Sequence, residues 1–175
     1  MTRKRRDRTD GNVTTMNAEL RAEDLSFLDR ATDSFVFDAV VAAPRSRVFA
    51  AISADPSTWT WYPDLADAGY EGPGPHGVGS RRAVHMAGAY YRETIVAWEE
   101  PSVWAYRVDE SSVPLAEALV EEWAVLEGED DDHSVVRWTF ALDPLPMFVD
   151  ARDIAVDMMG TLFHTAMQNL SDALN

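Results

Sequence analysis

Apolar residues recur along residues 147–175 at steps of three and four: Phe148, Ala151, Ala155, Met159, Leu162, Ala166, Leu170 and Ala173. This spacing predicts one long C-terminal helix with a continuous buried stripe. Val156, Phe163, Met167 and Leu174 widen the stripe on one side and Met158 on the other. Asp150, Asp153, Asp157, His164, Gln168, Ser171 and Asp172 fall on the polar side. Asp143-Pro144-Leu145-Pro146 sets the start, because proline ends a strand ladder and suits a first helical turn. About half the circumference is apolar, more than one packed neighbour needs. Two readings fit: plain core packing, or a soft methionine-bearing surface (Met158, Met159, Met167, with Gly160 between) that floors a ligand cavity.

Upstream, Leu20, Leu25, Phe27 and Leu28 among acids predict a short helical lead-in over 17–32. Alternation from Phe35 to Val41 predicts a strand. Pro44 opens a helix carrying Val48, Phe49 and Ile52, and Pro56 opens a second short helix around Trp59. After Trp61-Tyr62-Pro63, six strand-like segments follow: 66–71, 78–86, 90–99, 103–109, 115–127 and 134–142. Short turn-forming stretches such as Gly72 to Gly77, Ala87-Gly88 and Gly128 to His133 separate them. Connections this short give an antiparallel meander, whose inner face must be buried on the long helix. The expected fold is α+β: a curved antiparallel sheet of about seven strands, in the order β-α-α-β6-α, gripping the C-terminal helix as one domain over 33–175.

Charge sharpens this picture. Residues 1–8 hold five Lys/Arg against one acid, a net of +4, so the remainder carries −19 of the total −15. Residues 1–16 read as a basic, disordered tail, and the acidic body repels nucleic acid. The chain has no cysteine, which excludes a disulfide framework, a thiolate metal site and a cysteine nucleophile. No apolar run approaches the ~20 residues that cross a bilayer. The chain reads as cytoplasmic, without an integral membrane segment, and as a monomer or homodimer.

Most chemistry-bearing motifs fail in context. Gly72-Pro73-Gly74-Pro75-His76-Gly77 matches G-x-G-x-x-G, but two of its residues lack an N–H and a strand follows instead of a helix. His76, His85, His133 and His164 have no zinc-site spacing. No metal or cofactor is expected, and any catalysis must be acid–base work inside a pocket. On the strands, Tyr91, Glu93, Ile95 and Ala97 share one face, as do Glu121 and Trp123 two strands later. With these facing inward, Glu93, Glu121 and Tyr91 are the catalytic candidates, and Arg107 or Tyr106 would partner the carboxylates. With the other face inward, the carboxylates are exposed and pair with Arg81, Arg82 or Arg92. Trp59 and Tyr62 would stand at the mouth, and Met159 and Phe163 on the helix floor, completing a candidate ligand-binding set of Trp59, Tyr62, Tyr91, Glu93, Ile95, Tyr106, Arg107, Trp123, Met159 and Phe163.

The stretches FDAVVAAPRSRVFAAISADPSTWTWYPDL, GPGPHGVGSRRAV, YRETIVAWEEPSVWAYRV and VEEWAVLEGEDDDHSVVRWTF, with the strand, helix, helix, meander, helix order, resemble the START-like or Bet v 1-like superfamily (SRPBCC). The resemblance is to its bacterial polyketide cyclase/dehydrase-type branch and covers about 33–175. It implies a helix-grip fold with a cavity for a hydrophobic or aromatic small molecule, lipid or polyketide-like. The alternative it implies is a cyclase or dehydratase using cavity carboxylates. Cyclases of the family carry an arginine deep in the cavity. The matching central-strand residues here, Glu93, Ile95 and Ala97, supply none, so binding is the expected role.

Overall fold

A computed structural model describes residues 17–175, and the expected tail lies outside them. Eight strands form one antiparallel sheet: β1 (Ala18–Glu19), β2 (Asp33–Val41), β3 (Leu65–Tyr70), β4 (Arg81–Met86), β5 (Ala89–Glu99), β6 (Val103–Ser111), β7 (Ala116–Glu127) and β8 (Ser134–Pro144). Seven run in the order β2-β8-β7-β6-β5-β4-β3, and β1 adds to β6. α1 (Arg45–Ile52) and a 3-10 turn (Pro56–Thr58) follow β2, and α2 (Pro146–Leu174) closes the chain. This is the expected helix-grip arrangement, with the predicted second helix reduced to the single 3-10 turn.

The lead-in departs from expectation. Residues 17–32 are helical only in part and form a strap across the outer face of the sheet: β1, then a 3-10 helix at Leu25–Asp29 capped by the Asp24 side chain on Ser26 N. Phe27 is buried there against Ala118, Val120 and Ala141, a second small core on the convex side. The few apolar residues of the strap each meet the sheet separately, too sparsely to make a helical stripe.

The principal core lies between the concave face and α2. Phe163, Ala166, Met167 and Leu170 of α2 are buried there with Val48, Phe49 and Ile52 of α1. The helix is rolled relative to the simple periodic reading: Ala151 and Ala173 are exposed, whereas Gly160 and Ser171 are buried. Gly160 is the reason. A Cβ at this position would sit 2.9 Å from Cε1 of Phe37, so only glycine lets α2 settle this close to edge strand β2. Ser171 Oγ then accepts the Ala42 N–H, and Arg152 holds Asp33 through two hydrogen bonds, of 2.5 and 2.7 Å. We expect Gly160→Ala to lower stability by about 1–2 kcal/mol, because overpacking costs more than the ~1 kcal/mol of helix propensity gained. Phe37→Leu in the same background should recover it. Urea unfolding checks this, and an unchanged or raised midpoint for Gly160→Ala alone would refute the packing argument.

Candidate functional site

The β4–β5 hairpin builds the centre of the site. Ala87 and Gly88 both adopt positive φ (49° and 80°), the two-residue turn that suits a right-twisted ribbon. That turn fixes the register at Met86↔Ala89, and the ladder brings Arg82 opposite Glu93. Both residues face α2. Arg82 is 2% exposed and its Nε donates to Glu93 Oε2 at 2.5 Å. Its guanidinium stands over Tyr106 at 4.3 Å, Trp104 at 4.5 Å and Trp59 at 5.4 Å, where the ring faces attract the cation.

A second polar centre lies on β7. Glu121 Oε2 accepts the Tyr106 hydroxyl at 2.5 Å and the Trp138 indole N–H at 2.9 Å. Burial, reinforced by the nearby Glu93 carboxylate, pushes the Glu121 carboxyl up to about 8, although its two hydrogen bonds oppose the shift. Burial likewise raises Glu93, with Arg82 acting against it. Tyr91 is pushed up to about 12, first by burial and then by the two glutamates, and Tyr62 is raised for the same causes. Glu121 is therefore largely protonated at neutral pH, while Glu93 is held as the partner of a guanidinium that cannot lose its proton.

Aromatic rings fill the space around both centres. Trp123 stacks on Trp138 with centroids 5.2 Å apart, and Phe163 of α2 lies 5.9 and 5.8 Å from them. Trp59 packs on Trp61 and Tyr62, and Tyr62 reaches Trp123 at 6.5 Å. Two depressions stand out on the described surface. One, of about 670 Å³, runs along the outer face beside Thr94, Val96 and Arg107. The other, of about 500 Å³, lies between α2 and β2 at Phe37 and His164.

Of the sequence candidates, Tyr62, Tyr91, Glu93, Ile95, Tyr106, Glu121, Trp123 and Phe163 are brought together on the inner side, with Trp59 and Met159 half-buried at its margin. Arg107 is not among them. As the neighbour of inward Tyr106 it points outward, where its Nε donates to Asp109 at 2.8 Å. Ala97 is also turned outward. A bulge between Ile95 and Ala97 shifts the alternation, so that Trp98 reaches the core against Phe49 instead. The arginine expected to be lacking is present after all: Arg82 enters from β4, not from the central strand. Sequence reading also left out Trp104, Trp138 and Tyr70. Among the described residues, Trp59 Nε1, Tyr70 OH, Arg82 Nη1, Trp104 Nε1 and Trp123 Nε1 are buried donors without a hydrogen-bond partner. No group of residues there could hold a metal ion. No described helix is long and apolar enough to cross a membrane.

Comparison with known proteins agrees with this geometry. The protein XoxI from Bacillus cereus superposes with a TM-score of 0.67 at 14% identity, over 82% of this chain and 96% of that one. A protein from Nitrosospira multiformis gives 0.63 at 23% identity, over 82% and 97%. Norcoclaurine synthase from Thalictrum flavum gives 0.65 at 13%, over 88% and 93%. At these identities the likeness establishes the fold alone. No curated protein matches the chain in sequence. The family described as "Polyketide cyclase / dehydrase and lipid transport" matches residues 32–175, the whole helix-grip unit, and the chain therefore belongs to that family, within the START-like, Bet v 1-like architecture.

Proposed function

We propose that the protein binds an apolar or aromatic small molecule, lipid or polyketide-like, between the sheet and α2. One observation carries this reading: the buried Arg82 Nη1 and Trp59 Nε1, donors without protein partners, lie together where the guanidinium stands over the Trp59, Trp104 and Tyr106 rings, and Trp123 Nε1 is unpaired in the same aromatic core. A buried polar group left unpaired costs about 1–3 kcal/mol, so donors grouped in this way favour a guest that brings acceptor oxygens. The aromatic walls supply the apolar contact that such pockets use for affinity. The half-buried rim of Leu65, Met86, Tyr91, Leu115 and Met159 gives the rings room to part. The family's description and the neighbouring structure of norcoclaurine synthase holding dopamine and hydroxybenzaldehyde are consistent with a small-molecule site in this fold.

Native mass spectrometry of the protein as purified, followed by solvent extraction, tests the reading. A stoichiometric apolar compound, or one-to-one uptake of a neutral fluorescent aromatic probe quenching the interior tryptophans, is expected. Bare protein that takes up no such probe would overturn it.

A second reading, an acid–base enzyme of the cyclase or dehydratase kind, is favoured by one feature. Glu121 is a buried acid whose Oε1 takes part in neither of its two hydrogen bonds and can carry the exchangeable proton. Once a bound compound is identified, Glu121→Gln should abolish its turnover while leaving binding within about three-fold. Loss of binding and turnover together would argue for a binding role alone.

A further inference from the structure

The strap does more than cover the outer face. β6 and β7 are paired from Val103↔Ala124 to Arg107↔Val120 and then diverge, although the hairpin that joins them closes only at residues 112–115. The strap fills the resulting eye in the sheet. Ala18 and Glu19 pair with Ser111 and Glu110 of β6, the Leu20 N–H donates to Asp109 O at 2.9 Å, and the Arg21 N–H donates across the gap to Glu117 O of β7 at 2.7 Å. With a strand between them, β6 and β7 stand about 10 Å apart there, twice the ordinary spacing, so that lifting the strap opens a gap one strand wide. The eye communicates with the interior: Leu20, although it belongs to the strap, packs against the principal core and not the outer one. Inward residues around the eye are Val108, which lies opposite Glu93, and Leu119, two residues from Glu121 on the same face of β7.

We infer that this eye is the entrance to the site and that residues 17–22, with Leu20 as the plug, are its removable cover; the inference rests on the binding reading above. α2 is tied to the sheet by more attachments than the strap is: the Gly160–Phe37 contact, the two-bond Arg152–Asp33 pair and four buried side chains. The cover is held by two residues of strand pairing, by the Leu20 and Arg21 N–H bonds to Asp109 and Glu117, and by ion pairs of the half-exposed Arg21 to Glu23, Asp143 and Glu117. Exposed pairs of this kind add little. The outer groove of about 670 Å³ between Asp24 and Thr94, Val96 and Arg107 leaves the strap without backing along one flank. Phe27, 1% exposed, stays anchored beyond the capped turn and gives the cover a fixed end. Segments with few buried contacts and short ladders open first. The cover also precedes residue 32, where the family match begins, so it is an addition to the helix-grip unit.

Ala18 and Ser111 are directly opposite, a geometry that accepts a disulfide, and the chain has no other cysteine. The double variant Ala18→Cys, Ser111→Cys can therefore be compared with itself, oxidised and reduced, using N-phenyl-1-naphthylamine as probe and energy transfer from tryptophan as signal in stopped flow. We expect association at least ten-fold slower in the oxidised form, full recovery on reduction, and a several-fold faster rate in Leu20→Ala. Equal rates in the two redox forms would overturn the entrance while leaving the binding reading intact. A probe that binds neither form would remove the binding reading and the entrance with it. Independently of any probe, the Leu20 and Arg21 amides should exchange with solvent at least ten-fold faster than the β7–β8 ladder, and equal protection would refute a removable cover.

Discussion

Replacing Arg82 with methionine is expected to lower the stability of the protein by about 3–5 kcal/mol, the range for removing one partner of a buried ion pair. The guanidinium is the only charge within hydrogen-bonding reach of the buried Glu93 carboxylate among the described residues, and it also fills the space between Tyr106, Trp104 and Trp59. Methionine keeps much of the volume but strands the carboxylate, which must then take up a proton or unfold the hairpin. The double variant Arg82→Met, Glu93→Gln should regain most of the loss, since replacing both partners removes the uncompensated charge. Arg82→Lys should not behave as a conservative change, because an ammonium cannot present a flat face to three rings. Urea unfolding of the two single variants and the double at pH 7 gives the coupling directly. If Arg82→Met stays within 1 kcal/mol of the parent, or the double variant is no better than the single, the pair does not organise the interior as described.

The way Arg82 comes to face Glu93 also marks how far the chain can be read without coordinates. The hairpin turn at Ala87-Gly88 is visible in the sequence, and a two-residue turn dictates that positions 86 and 89, and so 82 and 93, lie opposite. The inward arginine was thus legible, but only by following register from the turn; looking for arginine on the central strand missed it. The long helix, the meander and the grip were legible because their hydrophobic periods are long and unbroken. Gly160 was legible as part of the soft methionine-bearing surface but not as the contact that decides the helix roll, because that depends on Phe37, over a hundred residues away.

Other features were beyond local reading for definite reasons. The bulge on β5 reverses the alternation after Ile95, so period-two counting assigns Ala97 to the concave face and Trp98 to the convex one, whereas Trp98 packs on the principal core and the buried Ala97 does not. Arg107 and Tyr106 were alternative partners for the buried carboxylates, but neighbours on a strand face opposite ways, and only Tyr106 turns inward. The extended first part of the strap was not legible beside its 3-10 helix, because its apolar residues serve two cores, Leu20 the inner one and Phe27 the outer. No single-segment pattern encodes such a division.

Glu121 leads to the other large expected effect, a stability that falls as pH rises through neutrality. Its folded carboxyl is pushed up to about 8 from an ordinary 4.5, so folding favours the protonated form. A group raised in this way contributes its full stability below the ordinary value, and that contribution is lost progressively as pH rises through the folded one. The window is therefore pH 4.5 to about 8, and the loss across it is on the order of 5 kcal/mol, at about 1.4 kcal/mol per pH unit. Glu93, also raised, acts with the same sign, and Arg82 moderates both. The facing hydroxyls of Tyr62, Tyr91 and Tyr106 are raised and stay neutral throughout. The paired surface carboxylates Asp33 and Asp143 are lowered by Arg152 and Arg21, so their contributions are lost only as pH falls below the ordinary carboxylate range. Glu121→Gln removes the titration while its amide oxygen can still accept from Tyr106 and Trp138. The variant should match the parent near pH 5 and exceed it by several kcal/mol at pH 8.5 in urea unfolding. Parallel profiles for the two proteins would mean that Glu121 is already ionised in the folded state, and with it the proton-donor reading of the site would fall.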